Sequence, residues 1–517
     1  MWRFDGGCVK CESEKWTVSL RAINDASAIV HREAEGFFPF WLYEWTDYWV
    51  ECRGASELSV TFGGEPAADG PTPHLKHYTY QNQIGHSRIV ITMDGEKLPP
   101  LDVEVISRKL DKPPGDPLHY PTFYHHLRSD LTRRLASLPF EFSAPTFHFV
   151  EEVSEPPTPL FLAWFLRQHA ERLTSAVNTI LHNPHRRLTQ EEEFLPIAQA
   201  FEITPRTLQA IVEHPEYLHC PISHFPNFPT PSHVLQSLPA DTFDTPENRF
   251  VKHFLTALLE TQYALRPTRD VAAFLQLALR APLFDEVGEM LSLPTASQVL
   301  LKCDGYRELL QLWREFHLAR QPTFFRDAQE AIDARNVATM YEYWGFFALA
   351  ERLATLFQSS RFTFHVSLAE GLGWNTEAVF GDTAYRLVYN RSFSRGRGSY
   401  SVGLRPDFSL FHGNQLQVVF DAKFRFDERD VEELGREADA EDAGMPMDAE
   451  RLAKRADLYK MHTYRDALRC RAAVVLFPGE SDNMYLTDGT MRKSVTLDEL
   501  LNGQVEGVGV MGFIPTG

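Results

Sequence analysis

The chain has 517 residues, 44% of them hydrophobic and 12% aromatic, with 51 Lys and Arg against 70 Asp and Glu and a formal net charge of −19. This length exceeds what one core supports, so two or three domains are expected, and the apolar content is that of a globular protein. The acidic balance argues against a nonspecific nucleic-acid binder, the start MWRFDGGCVKCESEKW has no apolar leader segment, and no apolar run is long enough to span a membrane.

Residues 1–120 read as a β-rich domain. Candidate strands at Trp16–Leu20, Tyr48–Cys52, Leu58–Phe62, Arg88–Thr92 and Leu101–Val105 are separated by Gly and Pro signals, the rhythm of a sandwich or barrel. The aromatic cluster from Phe37 to Trp45 reads as core rather than as a base-stacking platform. Cys8-Val-Lys-Cys11 is a lone C-x2-C. A zinc site would need two more ligands from Cys52, His31, Cys220 or His224, none at ribbon spacing. Six cysteines in so long a chain make no disulfide scaffold, and with no leader they point to a reducing cytoplasm.

Residues 121–238 read as a mostly helical linker domain, broken by prolines at Glu155–Pro159 and Pro221–Pro239. Residues 239–517 form the third domain, which opens on a helical insertion with patterns over Pro246–Leu265, Val271–Ala281 and Tyr306–Ala319. Thr245-Pro246-Glu247 is a helix start, with Thr as N-cap, Pro at the first position and Glu in the first turn. Glu247 and the adjacent Asn248 therefore read as capping residues before catalytic ones.

A further helix is expected over Thr339–Phe357, where Phe346, Leu349, Ala350, Leu353 and Phe357 recur at helical spacing. Strands follow at Phe362–Ser367 and Tyr385–Tyr389. Between Ala384 and Arg405 there are five arginines, Arg386, Arg391, Arg395, Arg397 and Arg405, and no acid. The Gly-rich part of this stretch reads as a flexible basic loop, with Arg391, Arg395, Arg397 and Arg405 placed to grip a phosphate backbone.

The loop runs into RPDFSLFHGNQLQVVFDAKFR, residues 405–425, in which Asp407 precedes Asp421 by fourteen positions and Lys423 follows two later. His412-Gly413-Asn414 is a turn signal, making a hairpin that returns Asp407 to Asp421. Strand alternation puts Asp421 and Lys423 on one face. Two carboxylates and a lysine suit metal-dependent phosphodiester hydrolysis. A hard cation takes carboxylate and water oxygens, and an ammonium stabilises charge building on the phosphate. Asp407 and Asp421 are thus the candidate metal ligands, for Mg²⁺ or Mn²⁺, and Lys423 the electrostatic stabiliser. A single D-x-K on a strand is more often a solvated face, so the weight rests on the combination.

Next, residues 427–450 carry eleven acids against two arginines and read as a solvated acidic insert. A helix over Arg451–Cys470 follows; from Arg451 to Arg471 there are seven basic and two acidic residues. Lys460 and Tyr464 lie one turn apart on it. The last strand is Ala472–Phe477. No Walker A motif occurs, so the chain is not expected to be its own motor.

This order of helix, strands, Pro-Asp hairpin, Asp-Ala-Lys, helix and strand resembles the PD-(D/E)XK nuclease superfamily. With DTFDTPENRFVKHFL, MYEYW and VVLFPG added, it looks like families related to McrC, the nuclease subunit of McrBC-type restriction systems. The resemblance covers about the last 280 residues well. It implies a restriction-endonuclease-like α/β core with a mixed sheet, within an α+β multidomain chain. It also implies that Glu342 is an auxiliary metal ligand or base, and that Lys460 and Tyr464 occupy a Gln-x-x-x-Tyr element that touches DNA. Lys460 departs from the Gln of that pattern, and Tyr464 fits a core aromatic equally well. The implied function is endodeoxyribonuclease in prokaryotic antiphage defence, with a separate AAA+ NTPase like McrB as partner and the N-terminal domain docking the partner or recognising the target. A non-catalytic DNA-binding assembly subunit and a repair or recombination nuclease stay open, as does oligomeric state.

Overall fold

The structure, a computed structural model, describes residues 2–143, 157–219, 229–259, 269–320, 324–359, 362–368, 374–424, 449–480 and 482–515, apart from 24, 26, 55, 56, 82, 295 and 296. The chain forms two compact units, Met1–Trp164 with Leu318–Gly517, and Phe165–His317. The acidic insert lies almost wholly outside the described residues.

In the first unit the N-terminal strands build two facing sheets. One runs Cys8–Glu12, Thr17–Ala22, Asp47–Arg53, Leu75–Thr79; the other runs Ile29–His31, Phe40–Tyr43, Leu101–Ile106, Gly85–Met93, Leu58–Phe62. Side chains alternate between core and solvent, so Tyr48, Val50 and Cys52 go inward, and Cys52 Sγ meets Met93 Sδ at 3.0 Å across the sandwich. Each strand expected here from the sequence is present. The aromatic cluster supplies the strand Phe40–Tyr43, buried at every position and parallel to Leu101–Ile106. Cys8 and Cys11 are three apart on one strand and therefore face opposite ways, Cys11 into the core and Cys8 toward the Asp5 carbonyl at 2.9 Å. A shared zinc ion does not fit that geometry.

The same unit holds a ten-stranded mixed sheet. Its order is Phe140–Ser143, Phe362–Leu368, Trp374–Phe380, Tyr385–Tyr389, Phe408–His412, Gln415–Ala422, Ala472–Phe477, Gly507–Gly512, Asn483–Leu486, Met491–Lys493. Gln415–Ala422, Ala472–Phe477 and Gly507–Gly512 are parallel and central, and Ala472–Phe477 is buried throughout because both faces are covered. The helix Val337–Leu356 starts where the Asn336 side chain accepts the Thr339 N–H at 3.1 Å. It packs on the helix Tyr120–Ser137, with Trp344 Nε1 donating to the buried Asp130 at 2.6 Å. The helix Ala449–Leu468 places Met461 and Tyr464 in a core with Val419, Ala473, Val475 and Val508.

The second unit contains the helices Ala170–His182, Pro205–Glu213, Pro246–Leu259 and Arg269–Leu279, and a long antiparallel pair, Arg187–Pro196 with His233–Thr242. Thr245 Oγ1 accepts the Asn248 N–H at 3.3 Å, the capping expected. Asn248 is fully buried and bonded to the His185 and Phe243 carbonyls and the Tyr306 hydroxyl, a structural set of partners.

The sequence boundaries at 120 and 238 therefore do not coincide with the units. The helix Tyr120–Ser137 and the strand Phe140–Ser143 join the ten-stranded sheet's layer because one packs on Val337–Leu356 and the other extends the sheet beside Phe362–Leu368. The helical segment up to His317 groups instead with the middle of the chain.

Candidate active site

The hairpin forms with Gly413 at φ 57° in its turn, a left-handed conformation that glycine adopts without strain. His412 pairs with Gln415 and Phe411 with Leu416, but Leu410 then pairs with Val418 and Phe408 with Phe420. Gln417 is thus an extra residue, a β-bulge. Opposite residues of an antiparallel pair share a face, so the bulge sets Asp407 beside Asp421. An unbulged hairpin of the same turn would set Asp407 against Phe420. The Ala422 N–H confirms the pairing by donating to Asp407 Oδ2 at 2.7 Å.

Asp421 is fully buried. Lys423 Nζ stands 2.8 Å from its Oδ2 and Lys460 Nζ 3.4 Å from its Oδ1. The Lys423 approach is an ion-pair contact without hydrogen-bond alignment, and Oδ2 is left as a buried oxygen without a hydrogen bond. Burial is the largest influence on Lys423 and acts to lower its pKa, yet Asp421 and Asp407 together outweigh it and the pKa is raised. For Asp407 burial acts first, and the charges of Asp421 and Glu342 add to it, so its pKa lies well above the usual carboxylate range. Acids in this relation call for a counter-charge.

Glu342 comes from the first turns of Val337–Leu356. Its Oε1 accepts the Tyr389 hydroxyl at 2.7 Å and the Asn390 amide at 3.2 Å. The Asn390 N–H in turn donates to the Asp407 carbonyl at 2.7 Å, and Tyr389 pairs with Phe408. Sequence reading missed Tyr389 and Asn390; their signal was position, at the end of the strand beside the Pro-Asp strand.

The arginine loop, expected to be flexible, is tied back on itself and to the helix Ala449–Leu468. Phe393 and Leu404 exchange backbone hydrogen bonds at 2.7 and 2.9 Å, and the Tyr400 hydroxyl donates to Asp466 on Ala449–Leu468. Arg395 and Arg397 are exposed at its tip. Arg391 lies over the Phe411 ring at 4.6 Å, and Arg405 Nε donates to the Asn390 carbonyl at 3.2 Å. Tyr464 is buried, and its hydroxyl donates to the Arg405 carbonyl at 2.9 Å. That is the core role the sequence had left open, and it anchors the chain just before Pro406-Asp407. Lys460 is aimed at Asp421 rather than away from the site.

The residues fit a divalent cation. Asp421 Oδ2 is buried and faces the Lys423 ammonium, and burial with the charges of Asp421 and Glu342 holds the Asp407 carboxyl well above the usual range despite Lys423. Among the described residues no three His, Cys, Asp or Glu side chains converge closely enough to cage a metal. Mg²⁺ asks for one or two carboxylates and completes its shell with water and phosphate oxygens, which matches Asp407 and Asp421. Glu342, held by Tyr389 and Asn390, acts on the pair through its charge.

Residues 77–313 match a family model described as a domain of unknown function (DUF2357), and residues 339–482 match one described as the PD-(D/E)XK nuclease superfamily. No curated protein matches the chain. Among solved structures, a half-complex from a tetradecameric assembly of Thermococcus gammatolerans McrB AAA+ hexamers with bound McrC aligns at 12% identity and TM-score 0.27, covering 85% of this chain and 78% of that one. A polysaccharide lyase aligns at 10% identity and TM-score 0.13, covering 66% and 45%. At these TM-scores neither alignment amounts to a shared fold. Residues 339–482, which hold Glu342, Asp407, Asp421, Lys423, Lys460 and Tyr464, are a PD-(D/E)XK nuclease superfamily domain.

Proposed function

We propose that the protein is a metal-dependent endodeoxyribonuclease of a prokaryotic restriction or antiphage system, acting with a separate AAA+ NTPase. The observation that carries the hydrolytic reading is the bulge-aligned pair Asp407 and Asp421, with Lys423 2.8 Å from an otherwise unbonded Asp421 oxygen. A Mg²⁺ or Mn²⁺ ion held by Asp407 and Asp421 would polarise the scissile phosphate and acidify water. Lys423, kept protonated by the two carboxylates, faces the charge that builds on the phosphate oxygens as the P–O bond breaks. Lys460 adds a second positive charge from the helix side. Tyr389 and Asn390 fix Glu342, and Tyr464 fixes the backbone entering Asp407. The defence role and the AAA+ partner rest on the McrC-like order of sequence motifs.

The test is cleavage of plasmid DNA in Mg²⁺ or Mn²⁺, with any AAA+ protein encoded beside this one and its nucleoside triphosphate also supplied. Asp421→Ala should lose cleavage and calorimetric Mn²⁺ binding while keeping its thermal transition. Full cleavage by that variant removes the site assignment. A wild-type chain that binds DNA but neither cuts nor binds Mn²⁺ would be an assembly subunit instead.

A further inference from the structure

A cavity of about 600 Å³ lies at the same end of the sheet as the aspartates but is walled partly by the N-terminal domain. One wall is Arg108, Lys109 and Lys112, from the segment that follows the sandwich strand Leu101–Ile106. The opposite wall is Phe477–Glu480, which continues the strand Ala472–Phe477. That strand pairs in parallel with the one bearing Asp421, Val475 lying beside Asp421, and Lys423 N–H donates to the Leu476 carbonyl at 2.8 Å. Lys109 Nζ sits 4.4 Å from the ring of Phe424, the residue next to Lys423.

We infer that this cleft is a second phosphate-binding subsite that holds the DNA backbone beside the cut position, an inference resting on the hydrolytic reading above. The backbone and Arg108 of the basic wall are held in place. Arg108–Leu110 is a single 3-10 turn with Leu110 buried, and Arg108 is stacked over Tyr43 at 4.6 Å and paired with Asp25 at 2.6 Å. Lys112 is exposed at the rim. Of the cleft's two acids, Asp116 is turned into its own loop, accepting the Leu118 N–H at 2.8 Å, and Glu480 stands on the far wall. Pro117, Leu118 and Ile514 give the cleft apolar surface between the cations, which suits sugar and base faces flanked by phosphates better than a free inorganic anion. The N-terminal domain thereby supplies part of the nuclease's own substrate path. Nothing in the order of nuclease motifs would place residues 108–112 there.

The full-length chain, in Ca²⁺ to prevent cutting, is titrated with a fluorescent DNA duplex over a range of salt. Lys109→Ala/Lys112→Ala should bind about tenfold more weakly at moderate salt, and the slope of log affinity against log salt should flatten by about 1 to 2, one unit or so per lost phosphate contact. Lys112→Glu alone, at an exposed position, should show the same trend, and Lys109→Arg/Lys112→Arg should restore binding. Unchanged affinity and slope in both the double variant and Lys112→Glu, with wild type still cutting, overturns the cleft and leaves the active-site reading standing. If wild type fails to cut but the variants bind DNA more weakly, the cleft stands and hydrolysis falls. A wild-type chain that binds no DNA overturns both.

Discussion

Phe408 pairs with Phe420 across the Asp407–Asp421 hairpin only because Gln417 is bulged out of it. One residue of register decides whether Asp407 meets Asp421 or an apolar ring. Deleting Gln417 should therefore place Asp407 opposite Phe420. We expect loss of Mn²⁺ binding by calorimetry and of DNA cleavage, with far-ultraviolet circular dichroism close to wild type. Retained Mn²⁺ affinity in a folded deletion variant would show that the bulge does not align the acids.

Tyr389 and Asn390 hold Glu342 from a neighbouring strand, so they act through it. Tyr389→Phe removes one hydrogen bond and should cost about 1 kcal/mol of stability. Outer partners of a metal site typically control affinity or rate by about 10-fold to 100-fold, and cleavage should fall within that range. The diagnostic is a parallel fall in Mn²⁺ affinity. A drop in stability alone, with the metal titration unchanged, would reduce Tyr389 to a packing residue.

Two lysines approach one carboxylate, and they should be separable. Lys423→Met should lower the cleavage rate by about 10²-fold to 10³-fold, the scale of one lost electrostatic donor. Lys460→Ala, at the longer 3.4 Å contact, should cost less. Each substitution removes a positive charge beside Asp421, so Mn²⁺ should bind either variant at least as tightly as wild type. Weaker Mn²⁺ binding in Lys423→Met would place the lysine in organising the site rather than in the reaction.

The starts of the helices Tyr120–Ser137 and Val337–Leu356 are tied to the sandwich by a buried acid. Glu104 accepts the Phe38 N–H at 3.1 Å, the Arg335 guanidinium at 2.6 Å and the Tyr120 hydroxyl at 3.0 Å. Burial dominates and raises its pKa above 4.5, against the opposing pull of Phe38, Arg335, Tyr120 and His86. A carboxyl whose folded pKa is raised holds its proton more tightly when folded. Its contribution to stability is complete below the unfolded value and is lost as pH rises through the folded one. The melting-temperature advantage of wild type over Glu104→Gln should thus shrink from about pH 4 to about pH 7. An advantage that grows over that interval contradicts the assignment.

Much of the site could be read locally. Strand alternation alone places Asp421 and Lys423 on one face, and the helical spacing around Glu342 places it on a helix ahead of the sheet. Other parts were hidden for physical reasons. Trp374–Phe380 follows a Gly-rich stretch and carries Asn, Thr and Glu among its apolar residues, so no strand was expected there, yet Thr376, Ala378 and Phe380 are buried in the sheet. Arg187–Pro196 is mostly exposed and has no apolar alternation to announce a strand. The contacts of the arginine loop, from Tyr400 to Asp466 and between Phe393 and Leu404, join residues that no local pattern pairs.

The amino-acid order by itself determined which chemistry is available: two carboxylates and a lysine on a hairpin, a glutamate on a preceding helix, and a basic helix after it. These follow from periodicities of two and 3.6 residues, which are local properties of the backbone. The tertiary structure alone decided the register that makes Asp407 and Asp421 neighbours, the partners that fix Glu342, the turn of Lys460 toward Asp421, and the approach of Arg108–Lys112 to the end of the sheet that bears Asp421. Each of these depends on contacts between residues distant in the chain, where the energy of pairing and burial selects one arrangement among several that the local pattern permits equally.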